Sequence, residues 1–345
     1  MTRNRVIIGA SLVLVAMAVA YFVWQSVAAN SLKQEGLKLA RIGDFARAEP
    51  ILKAALVRAP SDEDVLRALA KGYLDAGRKD LAEEFLTRCL EAAPRDLEAL
   101  RLRLDLYREL GRFDQANGDA DRLIEIEPDN VVWRRKRVAV LYSAGRFADA
   151  QNECESSLRR HPGDRDLRFK LSDIKQATGA YAEAGAILDG LLGETPKNVS
   201  VLMARAEVHL KQDEPGKAIP LYRKVLDISS PNRPRAALYY LALALNRTGQ
   251  AKEAGQLMDE VHRMQHADAM LEDSEGQPDN LPLQLRAARA QFESNKLDKA
   301  QQIARHILGV DPDYAPAHLL MADILDKQGL PDQAAKHRQL AKEKR

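Results

Sequence analysis

A chain of 345 residues with 52 Lys plus Arg against 50 Asp plus Glu has room for two or three domains or one long repeat array, but not the basic excess of a dedicated nucleic-acid binder. Aromatics make up 5% and the apolar fraction rests largely on Ala and Leu, which suits packed helices and not a β core. Two cysteines, Cys89 and Cys154, are too few for a disulfide scaffold and too far apart for a metal cluster, and no Gly-rich phosphate loop, HExxH or GxSxG motif occurs.

Residues 1–5 carry Arg3 and Arg5 and lead into Val6–Trp24, nineteen residues without a charge. As a helix this run would span roughly 28 Å at ~1.5 Å per residue, close to the ~30 Å core of a bilayer. Tyr21 and Trp24 stand where an interfacial aromatic belt would. The run predicts a transmembrane helix, a signal anchor over 6–24, with a linker over 25–29. The competing reading is a cleaved signal peptide cut after Ala28 or Ala29, although the run exceeds the ~7–15 apolar residues of a usual secretory core. Arg3 and Arg5 face Lys33, Lys38 and Arg41 across it. A short basic tail before a first helix favours an extracytoplasmic location for the chain beyond residue 30, periplasmic in a bacterium.

From residue 30 to 345 the chain repeats. Gly43, Gly77, Gly111, Gly145 and Gly179 are 34 residues apart, each with Ala five residues on (Ala48, Ala82, Ala116, Ala150, Ala184) and Pro seventeen on (Pro60, Pro94, Pro128, Pro162, Pro196). The phase continues with wear through Asp213, Gly249 after 36, Asn295 after 46 and Gly329 after 34, which makes nine units. Before each landmark runs a stretch of helical apolar spacing, such as Leu66, Leu69, Ala70 and Tyr73. The landmark Gly ends that helix at positive φ, and a second helix follows until Pro stops it. The position seven before the landmark is often small, as at Gly36, Ala70, Ser172, Ala206, Ala242, Ala288 and Ala322, and small residues at matched phase let an antiparallel pair touch. Pro50 and Pro220 lie seven residues after their landmarks, near a helix start, where few backbone bonds are lost.

This small–Gly–Ala–Pro unit of 34 residues resembles the tetratricopeptide repeat, TPR. The resemblance implies an all-α, TPR-type α-solenoid, a right-handed superhelix of helix–turn–helix pairs, joined here to one N-terminal transmembrane helix. It departs from the family pattern where Leu32, Leu66, Leu100 and Arg134 stand in place of the frequent Trp. The fourth and fifth units, with Arg134, Arg137 and Lys175 at usually apolar phases, are expected to pack more loosely.

The resemblance further implies that the first helix of each pair lines a concave groove. Ten residues before the landmarks stand Lys33, Arg67, Arg101 and Arg135, then Phe169, Met203, Tyr239, Leu285 and Leu319. Lys71, Arg108, Lys136, Lys170 and Tyr240 fall at neighbouring phases, while Arg134 and Arg137 are expected to snorkel outward. Two readings of the basic row stay open. It is a groove for an anionic partner, or a face neutralised by Asp64, Asp75, Glu98, Asp105, Glu109, Asp166 and Asp173, in pairs worth ~0–1 kcal/mol each. The apolar row suits a partner helix or extended peptide, or packing between repeats. The carboxylate clamp by which the family grips chaperone C-termini is not matched, since Leu37 stands where its first Asn would.

Other features are plainer. His262 and His266, at i and i+4, form at most half of a metal site. Cys89 and Cys154 read as small core residues. Residues 266–282 read as an acidic loop insertion, and the tail "KHRQLAKEKR" as a basic capping helix. Asn198 and Asn246 match the glycosylation triplet, which matters only outside a eukaryotic cell. The expectation is a non-enzymatic, membrane-tethered scaffold for a protein partner, with no cofactor, metal or nucleic acid. Resemblance to membrane-anchored bacterial TPR proteins suggests envelope or secretion-related assembly. The alternatives are an anionic polymer or lipid on the basic half, and an enzyme built on the histidine pair.

Overall fold

The computed structural model describes Met17 and residues 27–343, and every regular element among them is helical. They fall into two compact units, the first ending at Thr178 and the second beginning at Gly179. The first holds α1 (27–41), α2 (Phe45–Arg58), α3 (Glu63–Asp75), α4 (Lys79–Ala92), α5 (Leu97–Glu109), α6 (Phe113–Ile126), α7 (Val131–Ser143), α8 (Phe147–Arg160) and α9 (Arg165–Ala177). The second holds α10 (Tyr181–Glu194), α11 (Val199–Lys211), α12 (Pro215–Ile228), α13 (Arg235–Arg247), α14 (Ala251–Glu275), α15 (Leu281–Glu293), α16 (Leu297–Val310), α17 (Ala315–Lys327) and α18 (Pro331–Glu343). The expected span Val6–Trp24 lies outside the described residues apart from Met17. Among the described residues no helix is long and apolar enough to cross a membrane.

The landmark turns have one construction. The Gly77 N–H donates to Leu74 O at 3.0 Å and the Arg78 N–H reaches back to Tyr73 O at 2.8 Å, a closure that ties off two carbonyls at the end of α3. It requires a left-handed residue, and Gly43, Gly77, Gly111, Gly145, Gly179, Gly249 and Gly329 all have φ between 71° and 81°. The worn landmarks adopt it too: Asp213 has φ 58° and Asn295 has φ 64°. At the other end, the side chains of Asp62, Asp96, Asn130, Asp164, Asn198 and Asn280 cap α3, α5, α7, α9, α11 and α15 by accepting backbone N–H bonds. Pro50 and Pro220 sit within unbroken α2 and α12.

In the first unit the core is a strip in which Leu52, Leu66, Tyr73, Leu86, Leu100 and Leu123 are wholly buried, each such side chain contributing about 1.5–3 kcal/mol. A separate cluster, around Val138, Cys154, Leu167 and Ile174, lies under α7–α9. The second unit has a core from Leu202 to Val261 and a distinct one beginning at Leu285.

That break follows from α14, where the structure corrects the expected loop at 266–282. "HADAMLEDSE" continues α14 to Glu275, so that it has 25 residues where α12 has 14, and only 276–280 connect it to α15. Ala267 and Ser274 are buried, with Leu271 between them on the same face. Apolar and small residues at that spacing, among good helix formers, override the acidic composition.

Candidate interaction surface

In the first unit the basic row is paired, and with a fixed step. Lys33 donates to Asp62 at 3.0 Å and to Asp64 at 2.7 Å, residues 29 and 31 positions later. Arg67 bonds Asp96 and lies 3.8 Å from Glu98, at the same two steps. Arg135 donates to Asp164 at 2.6 Å and to Asp166 at 2.5 Å, again 29 and 31 residues on. The acid at the first step is each time the N-cap of the next first helix: one oxygen accepts that helix's N–H and the carboxylate also takes the base of the preceding repeat. A cap thus doubles as a staple between neighbouring repeats.

Arg101 is the exception that explains the rule. Its partner at the first step is the neutral cap Asn130, and at the second the exposed Val132. It falls back on its own helix, to Glu98 at 3.8 Å and Asp105 at 3.5 Å, and Lys136 reaches Asp105 at 2.7 Å.

The electrostatics agree with this pairing. The hydrogen bond from Lys33 holds the Asp64 carboxyl below its usual range. Burial opposes the charge on Asp164, but the bonds from Arg135 and the Leu167 N–H overcome it and keep that carboxyl low as well. Burial likewise opposes the charge on Lys33, and Asp64 and Asp62 more than offset it. Lys170 pairs with Asp173 at 2.7 Å and lies 4.8 Å from the Tyr142 ring centre. Lys71 and Arg108 are exposed. Lys33, Asp64, Arg67, Lys71, Asp75 and Glu98 line a groove of about 640 Å³ that carries charges of both signs.

Arg134 does not snorkel outward. Its side chain is 11% exposed and meets Glu153 at 3.2 Å, and Arg137 reaches the same carboxylate at 3.2 Å. Two bases on one partly buried acid occupy space that apolar side chains fill in other repeats, which is how α7 and α8 keep packed with charges at core phases.

The apolar row is only partly free. Tyr239 is 44% exposed and Leu319 38%, whereas Leu285 is buried. Phe169 and Met203 are half-buried, Met203 against the Leu202–Val261 core. Tyr240 stacks on the buried Tyr222 at 6.1 Å and meets Tyr239 edge-on at 5.3 Å, which braces Tyr239 in its exposed position. Beside Tyr239, a cavity of about 370 Å³ is lined by Leu243, Ala254, Gly255 and Met258.

Cys89 and Cys154 are buried thiols, both pushed up to about 12 chiefly by burial. His262 and His266 lie exposed on α14, and no group of three metal-ligating side chains occurs among the described residues. Sequence reasoning placed the bases of the first unit but missed the caps Asp62, Asp96 and Asp164 as their partners. An Asp fifteen residues before the landmark, in phase with a base in the repeat before, is the signal that finds them.

Tetratricopeptide repeat signatures match residues 40–106, 141–208 and 264–324, and a second form of the same repeat matches 203–265. A comparison with curated proteins returns no match. A solved tetratricopeptide repeat protein from Parabacteroides merdae is 19% identical, with TM-score 0.58 over 68% of this chain and 92% of that one. PilW, described as a widely conserved type IV pilus biogenesis factor, is 17% identical over 56% of this chain and 90% of its own, with TM-score 0.49. PilF of Pseudomonas aeruginosa is 19% identical over 60% and 94%, with TM-score 0.46. At such identities the likeness is one of fold.

Proposed function

The chain belongs to the tetratricopeptide repeat family, and from that premise we propose that it is a non-catalytic, membrane-tethered scaffold holding a segment of a partner protein on the first-helix face of its second unit. The observation that carries the reading is the braced, exposed Tyr239 in a row with no ion pairs of its own, beside Tyr240 and Met203. Exposed aromatics held in place cost solvation and lose little conformational entropy on binding, which suits a protein partner. An anionic polymer on the basic row is the weaker reading, because Lys33, Arg67 and Arg135 already satisfy acids of the same chain.

The tether rests on the uncharged run Val6–Trp24, and the extracytoplasmic placement on its basic flank. Resistance to alkaline extraction tests the first, and a topology reporter fused after Arg345 the second. Binding is tested by crosslinked pull-down from membranes with two variants. One changes Met203, Tyr239 and Tyr240 to Ser; the other changes Arg67, Arg101 and Arg135 to Glu. The partner is expected to be lost from the first, with helicity intact, and its capture to respond little to salt. A ligand lost only from the second variant, with affinity falling steeply in salt, would favour the anionic polymer instead.

A further inference from the structure

The long helix α14 displaces the repeat after it. Tyr73 and Gln291 each stand four residues before a landmark. Tyr73 bonds Glu49, six after its preceding landmark, whereas Gln291 bonds Ala267 O at 2.7 Å, eighteen after its own. The difference of twelve equals the excess of the 46-residue spacing over 34. α15 is therefore carried roughly 18 Å along α14, and the slot between α13 and the first half of α14 has lost its usual occupant.

Burial records the loss. The residue nine after the landmark is wholly buried at Leu52, Leu86, Ala120, Cys154, Tyr222 and Ala304, yet Met258 at the same phase is only half-buried, with one side on the Leu202–Val261 core. Ala254 is the landmark alanine that is not fully covered, at 5% against 0% for the rest. In the ninth repeat that phase also meets solvent, but there it holds Arg338, ion-paired to Asp326. Met258 is apolar where an exposed version of the position is charged.

The slot also keeps a specific charge. Asp121 and Asp189, ten after their landmarks, receive Arg137 at 3.2 Å and Arg205 at 2.7 Å from the next first helix. Asp259 has the same phase and stands exposed, because the next first helix is carried past it and has Ala287 at the position of those arginines. At Gly185 a Cβ would lie 3.2 Å from the Arg205 guanidinium, but at Gly255, the equivalent position, it would meet nothing within 4 Å.

We infer that this slot receives an amphipathic α-helix from a partner protein, seated as the chain's own first helices are, with small and aliphatic residues on Ala254 and Met258 and an Arg on Asp259. Of the exposed row, Tyr239 borders the slot. Such a helix is a ligand of stated shape and charge at one repeat, beyond the preceding proposal.

The test uses the full chain in detergent micelles and a labelled, hydrocarbon-stapled helix of the sequence 199–211, whose Arg205 serves Asp189 in cis. Fluorescence anisotropy is expected to show saturable binding, weakened about tenfold or more by Gly255→Leu and Met258→Glu. Asp259→Arg is expected to cost about fivefold, restored when the peptide carries Glu in place of its Arg. Gly255→Leu places its side chain in open space on a helix, so a melting curve that is not lowered shows that the loss is not unfolding. Met203→Ser should leave peptide binding intact, which separates this site from the row. No binding by the native chain, or equal affinity in the Gly255→Leu variant, would overturn the inference. So would self-association of the chain that Gly255→Leu abolishes, because the occupant would then be a second copy.

Discussion

The two units use one repeat to opposite ends. Fifteen residues before the landmarks, the first unit has Asp62, Asp96, Asn130 and Asp164; the second has Asn198, Pro234, Asn280 and Tyr314. Ten before them, the first has bases at four positions and Phe169 at the fifth, and the second has Met203, Tyr239, Leu285 and Leu319. Three of the four bases face an acidic cap 29 residues on, and a cap carboxylate that is 4% exposed, as at Asp164, needs its Arg, while Arg101 faces Asn130 and takes acids of its own helix. A neutral cap leaves no buried carboxylate that requires a base, and opposite Asn198 stands the apolar Phe169. The first unit uses this phase to join its own repeats, and the second leaves part of it exposed, at Tyr239 and Leu319.

The largest effect expected from breaking this contrast comes from two helical glycines. A Cβ at Gly72 would fall 2.0 Å from the Phe45 ring, whereas at Gly255 it would meet nothing. Gly72→Ala should therefore destabilise the first unit by about 3 kcal/mol through overpacking. Gly255→Ala should stabilise the second by about 0.5–1 kcal/mol through helix propensity. Opposite shifts in denaturant midpoint, followed by a probe in each unit, would bear this out; two shifts of one sign would not.

Caps come next. Asp164→Ala removes the bond to the Leu167 N–H and leaves Arg135 with only the exposed Asp166, for about 2 kcal/mol in all. Asn198→Ala removes only the cap bond to Val201, for about 1 kcal/mol. Asp164→Asn keeps the cap and loses the charge, so in urea unfolding it should cost only the difference between these, about 1 kcal/mol. If Asp164→Ala costs no more than Asn198→Ala and Asp164→Asn costs nothing, the staple contributes nothing beyond the cap.

Acid should separate the units by pH. In the second, His318 Nε2 lies 2.9 Å from Pro312 O, so that its bare Nδ1 accepts from His337 Nδ1 at 2.9 Å. Burial, then the neighbouring His318, hold His337 below the ordinary histidine value. A lowered folded value means that the unfolded chain binds the proton more tightly. The contribution is whole above the unfolded value of ~6.5 and is lost as pH falls through the folded one. Asp64 and Asp164 are lowered too, so the same reasoning places the first unit's loss below ~3.9. Amide exchange should loosen α17 and α18 first as pH drops from 7, and α3 and α9 only near 4. His337→Phe should delay the first event and leave the second unchanged.

How much of this was legible depended on the distance between cause and partner. The landmark turns were legible even at Asp213 and Asn295, because a left-handed residue five before a buried Ala is a local requirement. The basic row was legible as a row, and its neutralisation stood as one of two readings with the acids 31 residues on, Asp64, Glu98 and Asp166, among the partners; the acids 29 residues on, Asp62, Asp96 and Asp164, were missed because each sits just outside the helix it caps. The acidic stretch after His266 was misread because Gly276 and Pro278 dominated its composition, while the burial-bearing positions Ala267 and Ser274 precede both. Burial of Leu285 followed from that error, since its environment is set by where α14 ends. The open slot beside Met258 was invisible for the same reason, as it is made by a helix being elsewhere.

The smallest effect concerns the landmarks themselves, which are Gly throughout the first unit and become Asp213 and Asn295 in the second. A left-handed conformation strains a side chain by ~1–2 kcal/mol, less for Asp and Asn, whose short polar groups tolerate it. Glycine removes that strain but adds freedom to the unfolded chain, which offsets about half of the gain. Asp213→Gly and Asn295→Gly should each stabilise the second unit by about 0.5 kcal/mol, with Asp213 the larger of the two because Asn is the commoner left-handed residue. The same change reversed in the first unit, Gly77→Asn, should cost a similar amount. Thermal unfolding of the three variants would check the signs. A gain at Gly77→Asn would mean that the turn is held by its neighbours and not by the residue at its apex.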